Sequence, residues 1–365
     1  MNQFSWSSSL WKMGMLFLGG VLVIAAVGWW QRDAFNFLNT SDAPEERTNS
    51  PVFQNVMNTL ETQISPHPAT IAGMRQTELG ETELAIEQVY SENTAYTSYR
   101  ASYQSEGNTI YGLLTVPKSA RPENGYPAII FLHGYIPPDQ YVTTERYVSY
   151  VDSLARADYV VFKIDYRGHG ESEGEPSGAY HSPGYVFDTL YAAKALEQDD
   201  RVNAQAIGLW GHSMSGNITL RSAAVNQQFP AAVIWAGAGF TYRDLEKYRI
   251  SDSSFVRSRK TEQEILERAQ SLREQFGQYS ENTAFWEQMD PTNYLGGVET
   301  AFQLHHAEND SVVNPGYSRD LAKIFEDEGV EHELYLYSTG GHDIEGQSFN
   351  TAMQRTIQFF DTYLK

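Results

Sequence analysis

Cysteine does not occur in this chain, which removes disulfide bonds, thiolate nucleophiles and cysteine-ligated metals from consideration. Basic residues are scarce as well. Only 26 lysines and arginines stand against 46 aspartates and glutamates, a formal net charge of −20. That balance argues against nucleic acid and anionic membrane surfaces as ligands, because both repel an acidic protein, and it reads mainly as solubility. Glycine-rich cofactor loops are missing too. The segment Asp165-Tyr166-Arg167-Gly168-His169-Gly170 spaces its glycines like neither a dinucleotide fingerprint nor a P-loop. It reads instead as a tight turn shaping the edge of a site. No internal repeat is visible.

Long apolar runs are limited to one. Met13 to Trp30 carries no charge and is rich in Leu, Val, Ile, Ala and Gly. As a helix it would be about 27 Å long, just enough to cross a hydrocarbon core. Trp6, Trp11, Trp29 and Trp30 flank it, where interfacial aromatics belong. A cleaved signal peptide competes with this reading, but Ala25-Ala26-Val27-Gly28-Trp29-Trp30 offers no good small-x-small site. The sequence therefore predicts a tail over 1–12 and an uncleaved anchor over 13–30. Lys12 precedes the span, while Arg32 and Arg47 follow it among Asp33, Asp42, Glu45 and Glu46. With Lys12 and the terminal amine on one side and two arginines diluted by four acids on the other, the expectation is an N-terminus in the cytoplasm and the rest outside, with secretion after cleavage as the alternative. Residues 31–78 read as a linker and N-terminal extension, polar over Asn39–Pro51 and helical over Val52–Ile64.

From residue 79 to 365 the pattern changes. Polar and apolar residues alternate around Glu83–Tyr90, and Tyr99–Ser105 with Thr109–Val116 predict a hairpin around Glu106-Gly107-Asn108. Apolar runs then recur at Ala128–Leu132, Tyr159–Ile164, Ile207–Trp210, Ala232–Trp235, Ala301–His305 and Glu333–Tyr337. Helical spacing separates most of them, for example over Tyr147–Arg156 and Val186–Glu197. Strand–helix alternation of this kind predicts an α/β domain with a mostly parallel sheet flanked by helices. The stretch of about 240–297 is longer than a crossover needs, and its helical segment Glu262–Phe276 predicts a helical insertion, either a lid or a solvated excursion.

Chemistry concentrates at Gly211-His212-Ser213-Met214-Ser215-Gly216, directly after the apolar run ending at Trp210. A strand that ends in a glycine-flanked serine and runs into a helix is the layout of a nucleophile elbow. Ser215 departs from the usual second glycine, with Gly216 one position on. A serine needs a base to take its proton and an acid to orient that base. In this layout they follow in the order serine, acid, histidine. Asp310 lies in the loop after the strand ending at His306, and His342 follows Gly340-Gly341 after the strand ending at Tyr337. Glu308 and Asp343 are alternative acids, and His305 and His306 read as packed or hydrogen-bonded histidines. For the oxyanion, His133-Gly134 ends an apolar strand, which points to the backbone amides of Tyr135 and Met214.

With Phe131–Gly134, Val160–Ser172, Gly211–Gly216, Asp310 and Gly341-His342 in this order, the chain resembles the α/β-hydrolases of the prolyl oligopeptidase-like group. That group includes dipeptidyl- and acylaminoacyl-peptidase catalytic domains and their esterase relatives. The resemblance covers roughly Tyr96 to Lys365. It implies a serine hydrolase of amide or ester bonds acting on a small-molecule or peptide substrate, with no metal or organic cofactor. The peptidases usually carry a large β-propeller ahead of the catalytic domain, and fewer than about 100 residues precede it here, so peptidase specificity does not carry over. A carboxylesterase and a non-catalytic binding protein of the same fold are the alternative expectations.

Overall fold

The computed structural model describes residues 66–255, 259–280 and 282–365. The expected tail, anchor and helix Val52–Ile64 lie outside the described residues. Among the described residues, no helix is long and apolar enough to cross a membrane.

Among the described residues, nine strands form one sheet in the order β1-β2-β3-β5-β4-β6-β7-β8-β9. β1 (Ala85–Glu92), β2 (Tyr96–Ser105) and β3 (Asn108–Pro117) make an antiparallel edge, and β3 joins β5 (Val160–Ile164) antiparallel. From there β5, β4 (Tyr126–Leu132), β6 (Val202–His212), β7 (Ala231–Trp235), β8 (Ala301–Ala307) and β9 (His332–Tyr337) run parallel. The β2–β3 hairpin is tighter than its sequence suggests. Ser105 pairs with Asn108, so the turn is only Glu106 and Gly107, both at positive φ (48° and 80°). A two-residue turn of this hand matches the twist of the paired strands, and glycine enters it without strain.

The central strands are buried on both faces, as continuous Val, Ile and Ala runs require. Their residues alternate between two cores. Ala128, Ile130, Leu132, Ile207, Leu209 and Ile234 point to one. There they meet α3 (Gly184–Glu197), α4 (Ser215–Val225) and α8 (Gly316–Glu328) through residues such as Leu190, Ile218 and Leu321. Ile129, Phe131, Trp210, Val233 and Trp235 point to the other. It is covered by α2 (Val148–Arg156) and α9 (Gln347–Leu364) through Leu154, Phe359 and Phe360. Phe131 stacks on Trp210 there, ring centres 4.1 Å apart.

Two regions depart from simple alternation. The segment expected to belong to the extension through residue 78 joins the compact unit at Pro66. Thr70 caps α1 (Ile71–Gln76) by accepting from the Gly73 amide, and Ile71 and Met74 are buried. Arg221, wholly buried on α4, donates to the carbonyls of Ala69, Ala179 and Ser182 and so fastens this segment. Between β7 and β8 the chain forms α5 (Tyr242–Lys247), α6 (Arg259–Phe276) and α7 (Thr283–Glu287). This excursion has a small core of its own, in which Leu272, Phe285, Trp286 and Met289 close over Ala69.

α9 rests on β6 at Gly208, where an added Cβ would meet Phe360 at 2.9 Å and Leu364 at 3.0 Å. Gly208→Val should therefore lower the unfolding free energy by about 1–3 kcal/mol through overpacking. Urea denaturation checks this, and an unchanged midpoint would mean that the helix is not seated as described.

Candidate active site

β6 ends at His212 and α4 starts at Ser215, so the chain reverses within two residues. Ser213 takes the left-handed conformation, φ 54°, which is costly for a residue with a side chain and persists only where neighbours enforce it. They do so here. The Ser213 amide donates to Trp235 O on β7 at 2.9 Å, and its carbonyl accepts from the Gly216 amide at 2.9 Å. Gly211 has no room for a side chain, since a Cβ would stand 2.1 Å from Thr219 Oγ1. At Gly216 a Cβ would stand 2.6 Å from Gly237. Ser215, the departure from the usual pattern, has its own function in this geometry. Its buried hydroxyl donates to His133 O and is 2.7 Å from the Tyr166 hydroxyl, tying the elbow to the end of β4.

The structure brings Ser213, His342 and Asp310 together. His342 Nε2 is 2.9 Å from Ser213 Oγ and its Nδ1 is 2.8 Å from Asp310 Oδ2. Gly340 and Gly341 carry the chain through positive φ just before His342, and the Gly341 amide donates to Asn309 Oδ1 at 2.9 Å. Asp310 also accepts the amides of Val312 and Val313 at 2.8 and 2.9 Å, and His306 Nε2 stands 3.2 Å from its carboxylate. Burial would raise the Asp310 carboxyl, but the hydrogen bonds from His306 and His342 outweigh it and hold it well below the carboxylate range. The two alternative acids lie elsewhere. Glu308 pairs with Arg319, and Asp343 points to His212, 3.6 Å from its Nε2.

The turn after β4 passes close to Ser213. A Cβ on Gly134 would stand 3.2 Å from Ser213 Cβ. Tyr135 follows it and lines the site beside Ser213, while Met214 is the N-cap residue of α4, where amide dipoles favour negative charge. Ser213 lies between two cavities. One, about 330 Å³, is mostly apolar and lined by Tyr135, Ala179, Tyr180, Met214, Ala238, Ile250 and Val312, with Arg268 and Asp252 at its polar end. The other, about 250 Å³, is of mixed character, with Arg146, Asp252, His342, Asp343 and Glu345 beside Ile136, Tyr150 and Phe255. The helical excursion thus walls the site through Ile250, Asp252 and Arg268. Among the described residues, no group of three His, Asp or Glu side chains converges as a metal site would require.

Sequence reasoning passed over four residues. His212, Tyr147 and Asn309 were given no part in the site, and His306 was expected to pack or to hydrogen-bond, with no partner named. Their hydrogen-bond partners lie from 12 to 130 positions away, apart from the local contacts of His306 with Val313 and Asp310, and the i,i+4 spacing of His306 and Asp310 was the one available signal.

The sheet order and this chain of hydrogen bonds define a serine hydrolase of the α/β-hydrolase fold. Comparison with known proteins agrees. Residues 126–290 match the family described as serine aminopeptidase, S33. The YfhR protein of Salmonella typhi is 29% identical over 137 residues, 36% of this chain and 44% of that protein. The chain therefore spans less than half the length of that curated relative. Among solved structures, an acetyl xylan esterase from Paenibacillus sp. R4 superposes with a TM-score of 0.58 at 18% identity, covering 87% of this chain and 96% of the esterase. A puromycin-hydrolyzing peptidase of Mycobacterium tuberculosis gives 0.56 at 18% identity, covering 75% and 40%. Likeness at such identity speaks for the fold alone.

Several buried histidines around the site are held neutral. Burial pushes His169 down to about 4; burial and then the nearby His342 push His212 to about 4; burial and then Arg355 push His305 to about 3. The unfolded chain binds these protons near pH 6.5 and the folded chain does not, so the stability they contribute is present above pH 6.5 and lost as pH falls toward 4. Denaturation at stepped pH should show the unfolding free energy falling over that window, by up to about 1.4 kcal/mol per pH unit for each such histidine. Asp310, depressed, adds its loss only below the ordinary carboxylate range. A flat profile between pH 6.5 and 4 would contradict the burial of these rings in a neutral form.

Proposed function

We propose that this chain hydrolyses carboxylic esters of mostly apolar acyl groups through an acyl-enzyme on Ser213. The observation that carries the reading is the Ser213–His342–Asp310 chain of hydrogen bonds opening on an apolar cavity of about 330 Å³. Ser213 Oγ attacks the carbonyl carbon while His342 Nε2 takes its proton, and Asp310 fixes the ring and stabilises its cationic form. The oxygen that becomes negative is received by the amides of Tyr135 and Met214, donors that can each be worth about 3 kcal/mol. His342 returns the proton to the departing alcohol. Water, deprotonated by the same histidine, then frees the acid and restores Ser213.

A second reading, cleavage of aminoacyl amides, is favoured by one observation: Asp252 stands at the rim of both cavities, where a carboxylate can hold a substrate ammonium. The family description serine aminopeptidase points the same way. The membrane anchor over 13–30 belongs to the proposal too, and rests on the uncharged apolar run with its flanking tryptophans.

A fluorophosphonate probe should label wild-type protein at Ser213 and leave Ser213→Ala unlabelled. Labelling of the variant would move the nucleophile elsewhere, and an unlabelled wild type would favour a binding protein. Against a panel of p-nitrophenyl esters and aminoacyl p-nitroanilides, Asp252→Asn should leave the ester KM within about twofold. If amides are substrates, it should raise their KM by roughly tenfold or more, as expected when an ammonium loses its partner. For the anchor, full-length protein should stay with membranes through carbonate washing, and a chain starting at Asn49 should be released and remain active. Release of the full-length protein by carbonate would remove the anchor from the proposal.

A further inference from the structure

We propose that Tyr147 and His212 are positioning residues, a two-member relay that locks the base loop and the turn after β4 to each other across the nucleophile. The proposal rests on the reading of Ser213 as nucleophile. His212 occupies the position just before Ser213, and both of its ring nitrogens are engaged. Nε2 is 3.0 Å from the backbone carbonyl of His342, and Nδ1 is 2.8 Å from the Tyr147 hydroxyl. The Tyr147 oxygen in turn accepts the Gly134 amide at 2.9 Å.

The directions of these bonds follow from elementary donor and acceptor rules. A carbonyl oxygen only accepts, so Nε2 carries the proton toward His342. The neutral ring then has a bare Nδ1, which takes the Tyr147 O–H, while the phenol oxygen receives Gly134 N–H. All three donors point one way, from the oxyanion turn to the loop of the base. Burial, and then the charge on His342, hold the His212 ring at about 4, which keeps it neutral while His342 cycles through its cationic form. Asp343, half-exposed and 3.6 Å from the same nitrogen, is beyond hydrogen-bond distance.

Two features mark this as a built arrangement. Tyr147 and the residue before it, Arg146, both hold positive φ (54° and 53°), so the chain accepts strain to bring the phenol to this spot. Gly134 leaves the space: a Cβ there would stand 2.7 Å from the Tyr147 oxygen and 3.0 Å from His212 Nδ1. The ring of Tyr147 packs on Phe131, whose strand ends in the oxyanion turn, with centroids 5.4 Å apart. The His212 ring lies 4.6 Å from that of His342. Two backbone segments that must stay within hydrogen-bond reach of one carbonyl substrate are thereby fixed to one another. A bond to a backbone carbonyl acts on the position of His342 and not on its chemistry, which is why the effect should fall on kcat.

The test uses full-length protein and p-nitrophenyl butyrate. Tyr147→Phe removes the phenol, and His212→Gln keeps a donor near the Nε2 position while removing the Nδ1 acceptor. Each should lower kcat by roughly tenfold with KM within about twofold, and the double variant should fall no more than about twofold further, because members of one unit are not additive. Losses that multiply to about a hundredfold, or single variants at wild-type kcat, would overturn the relay. Nitrogen-15 spectra of wild-type histidines give a readout that survives any folding defect in the variants. His212 should be neutral and protonated on Nε2 at pH 7, and an Nδ1-protonated or cationic ring would overturn the proposal. Should wild-type protein neither label nor turn over, the nucleophile reading fails, and the nitrogen-15 result still decides the relay.

Discussion

Much of this molecule depends on one unfavourable backbone conformation, the left-handed Ser213 between β6 and α4. Such a residue costs on the order of 1–3 kcal/mol, so the surroundings must fix it from several sides. β6 lies mid-sheet between β4 and β7, and the Trp235 carbonyl of β7 takes the Ser213 amide. α4 comes close enough to continue the turn only because Gly211, Gly216 and Gly237 offer no side chains at the crossing. The reward is functional. A hydroxyl lifted off the end of a buried strand reaches His342 without the backbone being exposed to slippage.

Around that strained point charge is rationed by burial. Among the described residues, Asp310 is the carboxylate hydrogen-bonded to the His342 ring, and it is heavily bonded. Asp310 receives two backbone amides and faces two histidines, so it holds its negative charge while excluded from water. The neighbouring rings His169, His212 and His305 are kept neutral by the same burial.

How much of this was legible in the sequence depended on the range of the signal. Buried parallel strands announce themselves locally, and the runs at Ala128–Leu132 and Ala232–Trp235 appear as β4 and β7. The order Ser213, Asp310, His342 could be proposed because each follows a strand, and the structure sets the three within hydrogen-bond distance. Residues whose meaning lies in distant partners were opaque. Tyr147 is a helix start until His212, 65 positions away, is seen against its hydroxyl. Ser215 reads as a flaw in a glycine motif until its hydroxyl is found on His133, 82 positions earlier. The place of the segment from Pro66 in the compact unit has a similar cause, since nothing local tells that Arg221 will reach the carbonyl of Ala69.

The division of labour within the fold bears on how a substrate is chosen. Ser213, His342 and Asp310 all come from sheet termini, whereas Ile250, Asp252 and Arg268 come from the excursion between β7 and β8. That excursion is nevertheless fastened to the acid loop. The Ser251 amide donates to Val312 O at 2.9 Å, and Ile250 bridges Val313 in antiparallel fashion. The amides of the same two valines hold Asp310. Lys247 and Tyr248 add contacts to Asp320 on α8, the helix that follows this loop. A wall of the apolar cavity and Asp310 therefore share one short stretch of backbone. Displacement of the excursion by a bound acyl group would be felt first at Val312 and Val313, and through their amides at Asp310. On the function proposed above, binding in the apolar cavity and alignment of Ser213, His342 and Asp310 are mechanically linked, a way for binding energy from a remote acyl group to act on the chemical step.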